Sequence, residues 1–288
     1  MTKLAVLDFP QQKPSDSQFE QLKTHFDSKY KIAWYLMDAK PRPCFTPTLL
    51  DNILAYQSKI KKEMQESSGE KYKFMVLGSE SKGVFNYGGD LVLFRKYIHE
   101  NKREKLADYA IKCVYGLYQN LVNLNQDLTT VSLIQGDALG GGFEVALSSN
   151  LVIAEKGTKM GFPEVLFNLF PGMGAYSILS RKIGPALAER MILSGQLYSA
   201  EELYDLGVID ILAESGEGEV ALYKFIKSAT AATNSHQAFR KVKAICNPIS
   251  YQELVNIVNV WIDSAFKLNS RDLRMMDRLI KRQTIKTN

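Results

Sequence analysis

Short apolar runs and helically spaced apolar residues take turns along most of this chain. Tyr30–Met37 (YKIAWYLM), Tyr72–Gly78 (YKFMVLG), Val131–Gln135 and Leu151–Glu155 have strand length and mainly apolar character. Thr48 to Glu63 instead repeats Leu49, Ile53, Tyr56 and Ile60 on one helical face. Glu104 to Leu124 is the longest clean amphipathic segment, with Leu106, Ala110, Val114, Leu117 and Leu121 aligned. Strands and helices alternating at this spacing predict an α/β architecture. Lys40-Pro41-Arg42-Pro43 must be extended or turned, because proline disfavours helix for itself and its predecessor. Residues 1–30 are polar and mixed, and predict a surface extension with a short helix around Ser17–Asp27.

Past Gly174 the pattern turns helical. Pro185 stands where a first helical residue would and Gly195 where that helix would stop. Ser199 with Glu202 forms a capping box for the next helix. Leu254–Trp261 (LVNIVNVW) is more apolar than one covered face needs. From Arg271 to Asn288, Leu273, Met276 and Ile280 keep helical spacing beneath a mostly basic face. That face reads either as solvated surface or as a landing site for an acidic partner. The expected division is residues 1–30 as extension, 31–210 as core and 211–288 as a helical region.

One stretch, Gly136 to Gly174, concentrates the unusual residues. Gly140, Gly141 and Gly142 run directly into the helix former Phe143-Glu144-Val145-Ala146-Leu147. The first N–H groups of a helix have no partner within it and form its positive end, so this junction can receive partial negative charge. Glu164 follows among Phe162, Val165, Leu166, Phe167, Leu169 and Phe170. Two carboxylates in apolar surroundings beside such a backbone suit acid/base chemistry on an enolate-like intermediate. A tight turn with a glutamate favouring the helix dipole explains the same residues, and both readings stay open on them alone. Asp90, after Gly88-Gly89, reads as the cap of a helix starting at Leu91.

Composition excludes more than it adds. A net charge of +5 is too mild to imply nucleic acid. There is no apolar run of membrane-spanning length, and Pro10 and Pro14 interrupt the start, so neither a span nor a signal peptide is expected. Cys44, Cys113 and Cys246 are widely spaced and read as reduced cytoplasmic thiols, not a disulfide frame or zinc site. GxGxxG, Walker, GxSxG and HExxH patterns are missing, and no histidine lies in the glycine-rich stretch. No cofactor or metal is expected.

GDALGGGFEVALSSNLVIA followed by MGFPEVLFNLFPGMG resembles the central signature of the crotonase (enoyl-CoA hydratase/isomerase) superfamily. Gly83 to Asp90 (GVFNYGGD) is similar to its other signature loop, and Gly184 to Asp210 to the segment that follows. Within the superfamily, FEVALSSNLVIAE and FPEVLFNLFPGMGAYS look most like the synthases of diffusible signal factor, a cis-2-unsaturated fatty acid used in bacterial quorum sensing. The resemblance implies a spiral of ββα units with a C-terminal helical part that assembles trimers, or dimers of trimers. It implies that Gly89 and Gly141 donate N–H groups to a thioester carbonyl, with Gly88 and Gly140 beside them. Glu164 would take the α-proton and Glu144 protonate the departing hydroxyl. The VLFNLF run is apolar enough to line an acyl tunnel, in which Phe162, Leu166, Phe167, Leu169, Phe170 and Met173 would bind the acyl chain, and equally suits plain core.

The implied reaction is dehydration of a 3-hydroxyacyl thioester on acyl carrier protein (or CoA), then hydrolysis to the free acid. A signal-sensing regulatory protein is a further implied partner. The alternatives are an ordinary enoyl-CoA hydratase/isomerase of fatty-acid oxidation and a non-catalytic binding protein. Cys44-Phe45-Thr46-Pro47-Thr48 and Gly174-Ala175-Tyr176-Ser177-Ile178 depart from the usual CoA-hydratase pattern, which leaves room for a carrier-protein donor.

Overall fold

The computed structural model describes residues 19–285, with side chains through Lys281. Ten strands among them form two sheets. The larger takes β1 (Leu22–Asp27), β2 (Ile32–Met37), β3 (Phe74–Ser79), β5 (Thr129–Ile134), β7 (Leu151–Glu155) and β10 (Ile211–Ala213) in that spatial order. The smaller takes β4 (Val84–Asn86), β6 (Asp137–Leu139), β8 (Lys159–Gly161) and β9 (Leu197–Ser199). Only β1 against β2 and β8 against β9 are antiparallel. The chain therefore visits the large sheet, then the small one, then a helix, and repeats. β3–β4 leads to α2 (Leu91–His99) and α3 (Arg103–Leu121), and β5–β6 leads to α4 (Gly141–Leu147). β7–β8 leads to a 3₁₀ turn at Pro163–Phe167 and then α5 (Ala175–Ile183) and α6 (Pro185–Ser194). This is the ββα spiral.

Burial explains the near-continuous apolar strands. Alternate residues such as Ile32, Trp34, Val76 and Val131 pack on one side against Leu222 and Ile226 of α8 (Gly218–Ala231). Their neighbours Ala33, Tyr35, Met75 and Leu77 pack on the other against α1 (Pro47–Glu66) and α3. A sheet covered on both faces has no polar face to show.

The predicted helix around Ser17–Asp27 is overturned. Ser17 and Gln18 lie outside the described residues, and Leu22–Asp27 is the edge strand β1. Its first residues alternate, with Leu22 and Thr24 buried and Lys23 exposed, before the period breaks at the exposed Phe26 and the buried Asp27. Asp27 then accepts the N–H groups of Lys29 and Tyr30 and turns the chain into β2. The large sheet thus gains β1 before residue 31 and β10 after residue 210.

The capping box of α7 (Ala200–Asp205) forms as the sequence predicts. α9 (Thr233–Cys246) buries no residue. α10 (Tyr251–Ala265) packs on α3, and α11 (Ser270–Ile285) packs on α2 and the 3₁₀ turn. No helix among the described residues is long and apolar enough to cross a membrane.

Candidate active site

Parallel pairing of β4 with β6 puts the turns that follow both strands at one end, side by side. The first turn is Gly88-Gly89 and the second Gly140-Gly141. Gly88 has φ +86°, and a Cβ there would stand 2.7 Å from the Gly141 nitrogen, so only glycine lets the turns meet. Asp90 accepts the N–H groups of Val92 and Leu93 at 3.1 and 3.2 Å and caps α2. Among the described residues the N–H groups of Gly89 and Gly141 donate to no protein acceptor. They are two donors from two turns, and both residues line one cavity.

Glu144, in the first turn of α4, is 1% exposed. Its Oε1 accepts the N–H groups of Met173 at 2.8 Å and Ala175 at 2.9 Å, from the segment leading into α5. Burial pushes the carboxyl up to about 7, and those N–H groups hold it back from going further. Glu164 follows Pro163 in the 3₁₀ turn. Its Oε2 is buried with no hydrogen-bond partner among the described residues. Burial, reinforced by the charge of Glu144, raises it to about 8. Gly140 makes room for it: a Cβ there would lie 2.2 Å from Glu164 Oε1, and φ is +53°.

Both carboxyls open on a cavity of about 310 Å³. Of the residues singled out in the sequence, Gly89, Gly140, Gly141, Glu144, Glu164, Leu166, Phe167, Leu169 and Met173 line it. Three do not. Gly88 supplies the surface on which Gly141 packs. Phe162 stacks on Phe143 in the core, ring centres 5.2 Å apart. Phe170 faces a separate depression beside Pro171 and Tyr176. Asn168 adopts a left-handed conformation (φ +61°), and the chain re-aims there so that Leu169 enters the cavity while Phe170 does not.

Sequence reasoning missed the opposite wall. Leu91 and Phe94 of α2, Tyr109 and Cys113 of α3, Val258 and Trp261 of α10 and Leu279 of α11 also line the cavity. The LVNIVNVW run was the available signal, since its surplus apolar residues include Val258 and Trp261. Gly172 lets Trp261 close in: a Cβ there would come 2.4 Å from the indole. Among the described lining residues there is no Lys, Arg or His, and no metal-binding cluster of His, Cys, Asp or Glu occurs. Two near-neutral carboxyls beside two free N–H donors in an apolar cavity can move protons while a carbonyl oxygen gains charge.

The sequence profile of the enoyl-CoA hydratase/isomerase family matches residues 55–263, and the chain belongs to that family. It is 30% identical to the mitochondrial methylglutaconyl-CoA hydratase of Rattus norvegicus over 63% of this chain and 55% of that protein. It is also 30% identical to an enoyl-CoA isomerase/hydratase of Zymoseptoria tritici, over 75% of this chain and 70% of that protein. The chain thus spans little more than half the length of the first of these relatives. The crystal structure of enoyl-CoA hydratase from Bacillus halodurans superposes with a TM-score of 0.76 at 18% identity, over 90% of this chain and all of that one. That likeness speaks for the fold.

Proposed function

We propose that the chain is an acyl-thioester hydratase/dehydratase that interconverts a 3-hydroxyacyl and a 2-enoyl thioester. The observation that carries this reading is the convergence of Glu144, Glu164 and the two free N–H groups on one apolar cavity. The thioester carbonyl binds between Gly89 N–H and Gly141 N–H. Glu164, packed against Gly140 beside one donor, reaches the adjacent α-carbon. In dehydration its carboxylate takes the α-proton, and the carbonyl oxygen gathers the enolate charge on the two donors. Protonated Glu144 gives its proton to the β-hydroxyl, the C–O bond breaks and water leaves. Hydration runs the same steps backwards, starting from ionised Glu144 and protonated Glu164. The N–H groups on Glu144 favour that starting state, because they stabilise its carboxylate more than the single backbone N–H that supports Glu164, whose Oε2 has no partner.

The finer reading is that the substrate is a 3-hydroxyacyl group on acyl carrier protein and the product a free cis-2-enoic acid, a diffusible signal. The resemblance of FEVALSSNLVIAE and FPEVLFNLFPGMGAYS to signal-factor synthases supports it. So does the exposed basic row Arg271, Arg274, Arg278 and Lys281 on α11, the helix whose Leu279 lines the cavity. A substrate with a second carboxylate, as the name of the rat relative implies for that protein, would find no cation among these lining residues. The hydrocarbon lining suits an uncharged acyl chain. Cytoplasmic residence and trimeric assembly belong to the same proposal.

The test is direct. The pure chain is incubated with 3-hydroxyacyl carrier protein and, separately, with 3-hydroxyacyl-CoA, and products are followed by mass spectrometry. Released cis-2-enoic acid from the carrier substrate alone supports the finer reading. Enoyl-CoA that stays esterified supports an ordinary hydratase. No loss of water from either substrate overturns both.

A further inference from the structure

The N–H donor at Gly89 sits in a loop with no helix of its own to hold it. Gly141 N–H is fixed as the first residue of α4, whereas Gly89 lies between β4 and the cap of α2. The peptide groups around Gly89 are nonetheless tied down one by one. Gly88 N–H donates to Asn86 Oδ1 at 2.7 Å, and Gly88 C=O accepts from Phe45 N–H at 2.7 Å. The next tie is Asp90 N–H, which donates at 3.1 Å to the hydroxyl of Tyr109, a buried residue of α3. That hydroxyl donates in turn to Phe45 C=O. Phe45 is the residue bridged to Gly89 from the neighbouring segment. One side chain thus clamps the loop to α3 and to Phe45, and Gly89 N–H is left facing the cavity.

We infer that Tyr109 is a positioning residue, whose hydroxyl aims Gly89 N–H at the carbonyl oxygen of the bound thioester. Its ring lines the cavity and meets Phe94 edge-on, ring centres 5.4 Å apart, but the hydroxyl is occupied by Asp90 N–H and Phe45 C=O and has no proton to spare for substrate. An N–H that must meet an oxygen at hydrogen-bond distance loses most of its effect when it tilts, because hydrogen bonds weaken steeply with angle. Removing one oxyanion donor altogether costs on the order of 100–1000-fold in rate. Loosening one costs less. This inference rests on the oxyanion role proposed above for Gly89.

Tyr109→Phe keeps the ring and deletes only the clamp. Three measurements on the full-length chain separate the outcomes. Bound decanoyl-CoA, labelled with ¹³C at the thioester carbonyl, reports polarisation by the infrared shift of its C=O stretch. Hydration of the matching 2-enoyl-CoA gives kcat and KM. Hydrogen exchange gives the lifetimes of the Gly89 and Asp90 amides. In the variant we expect the C=O shift to fall by half or more, kcat to fall roughly 10–100-fold with KM within about threefold, and Asp90 N–H to exchange at least about tenfold faster. A wild-type C=O shift in the variant overturns the inference, whatever happens to activity, since Tyr109 would then serve packing alone. If the wild-type protein itself neither shifts the C=O stretch nor turns over substrate, the oxyanion reading fails first. Unchanged exchange at Asp90 would still overturn the clamp. Should Tyr109→Phe not fold, 3,5-difluorotyrosine at the same position weakens the acceptor and should shift the C=O stretch in the same direction by less.

Discussion

The cavity has two walls of different origin. One is made where the spiral turns: Gly89, Gly140 and Gly141 follow strands of the small sheet, and Glu144 and Glu164 sit within a few residues of them or of the next strand. The other is the part of the helical lining that α10 and α11 add to α2 and α3, nearly a hundred residues further along, with Val258, Trp261 and Leu279. The first wall has both carboxyls and both free N–H donors. The second has none. On the function proposed above, chemistry depends on backbone geometry that one motif can encode, and fit to the acyl chain on helices that simply need to be apolar and in place.

The largest effect should come from the first wall. Glu144→Gln and Glu164→Gln are each expected to fold and to lose at least about 100-fold in turnover, because each removes one proton transfer. Steady-state kinetics on an enoyl thioester check this, and near-normal turnover in either variant removes that glutamate from the mechanism. The paired loss should be less than additive, since both serve one reaction in one cavity.

The same carboxyls leave a mark on stability. Glu164 is raised to about 8 when folded, against about 4.3 for an unperturbed glutamate, and Glu144 is raised to about 7. A group raised in this way favours the folded state most below its unfolded pKa and loses that advantage as pH climbs through its folded value. Stability should therefore fall between about pH 5 and pH 8, by a few kcal/mol for Glu164 alone. Urea unfolding midpoints across that range measure it. Glu164→Gln should flatten the slope, and an unchanged slope would place the destabilising charge elsewhere.

The difference between the walls also explains what the sequence could tell. Glycines running into a helix, a second glutamate after a proline and the cap at Asp90 are local features, decided within a few residues. They were legible. The strand at Leu22–Asp27 was not, because a polar edge strand has no apolar run and its buried Thr24 looks like surface. Phe170 and Phe162 were equally opaque: Phe170 leaves the cavity at a turn at Asn168 that the apolar run does not display, and Phe162, before that turn, packs on Phe143 in the core. Trp261 needed the path of two helices, which no spacing within them reveals.

The second wall should set chain length without touching the proton transfers. Leu279→Trp fills space at the rim of the cavity, and Leu279 is partly exposed, so the fold should tolerate it. We expect kcat/KM for the longest acyl chain accepted to fall about tenfold, and a short-chain thioester to be turned over as before. An equal loss for both lengths would mean that this wall also positions the reacting carbons.

The smallest effect should appear on the outer side of that wall. Arg271, Arg274, Arg278 and Lys281 are spaced so that they form one exposed row along α11. The helix's two acids are drawn away from the row: Asp277 pairs with Arg95 of α2 at 3.0 Å, and the buried Asp272 accepts the Asn269 N–H at 3.0 Å. The side chain of Arg282, the next basic residue along the helix, lies outside the described residues. A carrier protein is acidic and holds its thioester on a flexible arm, so it can rest on this face while the arm enters the cavity. Single exposed pairs contribute about 0–1 kcal/mol, and separated ones add. Reversing Arg274, Arg278 and Lys281 to Glu should therefore raise KM for an acyl carrier substrate about three- to tenfold at low salt and leave kcat alone. The difference should shrink as salt rises, since these charges are exposed to screening. A short pantetheine thioester never meets the row and should be unaffected. Equal KM values for the carrier substrate in the variant and wild type at low salt would make the row a solvated surface and return the donor to CoA or to another docking face.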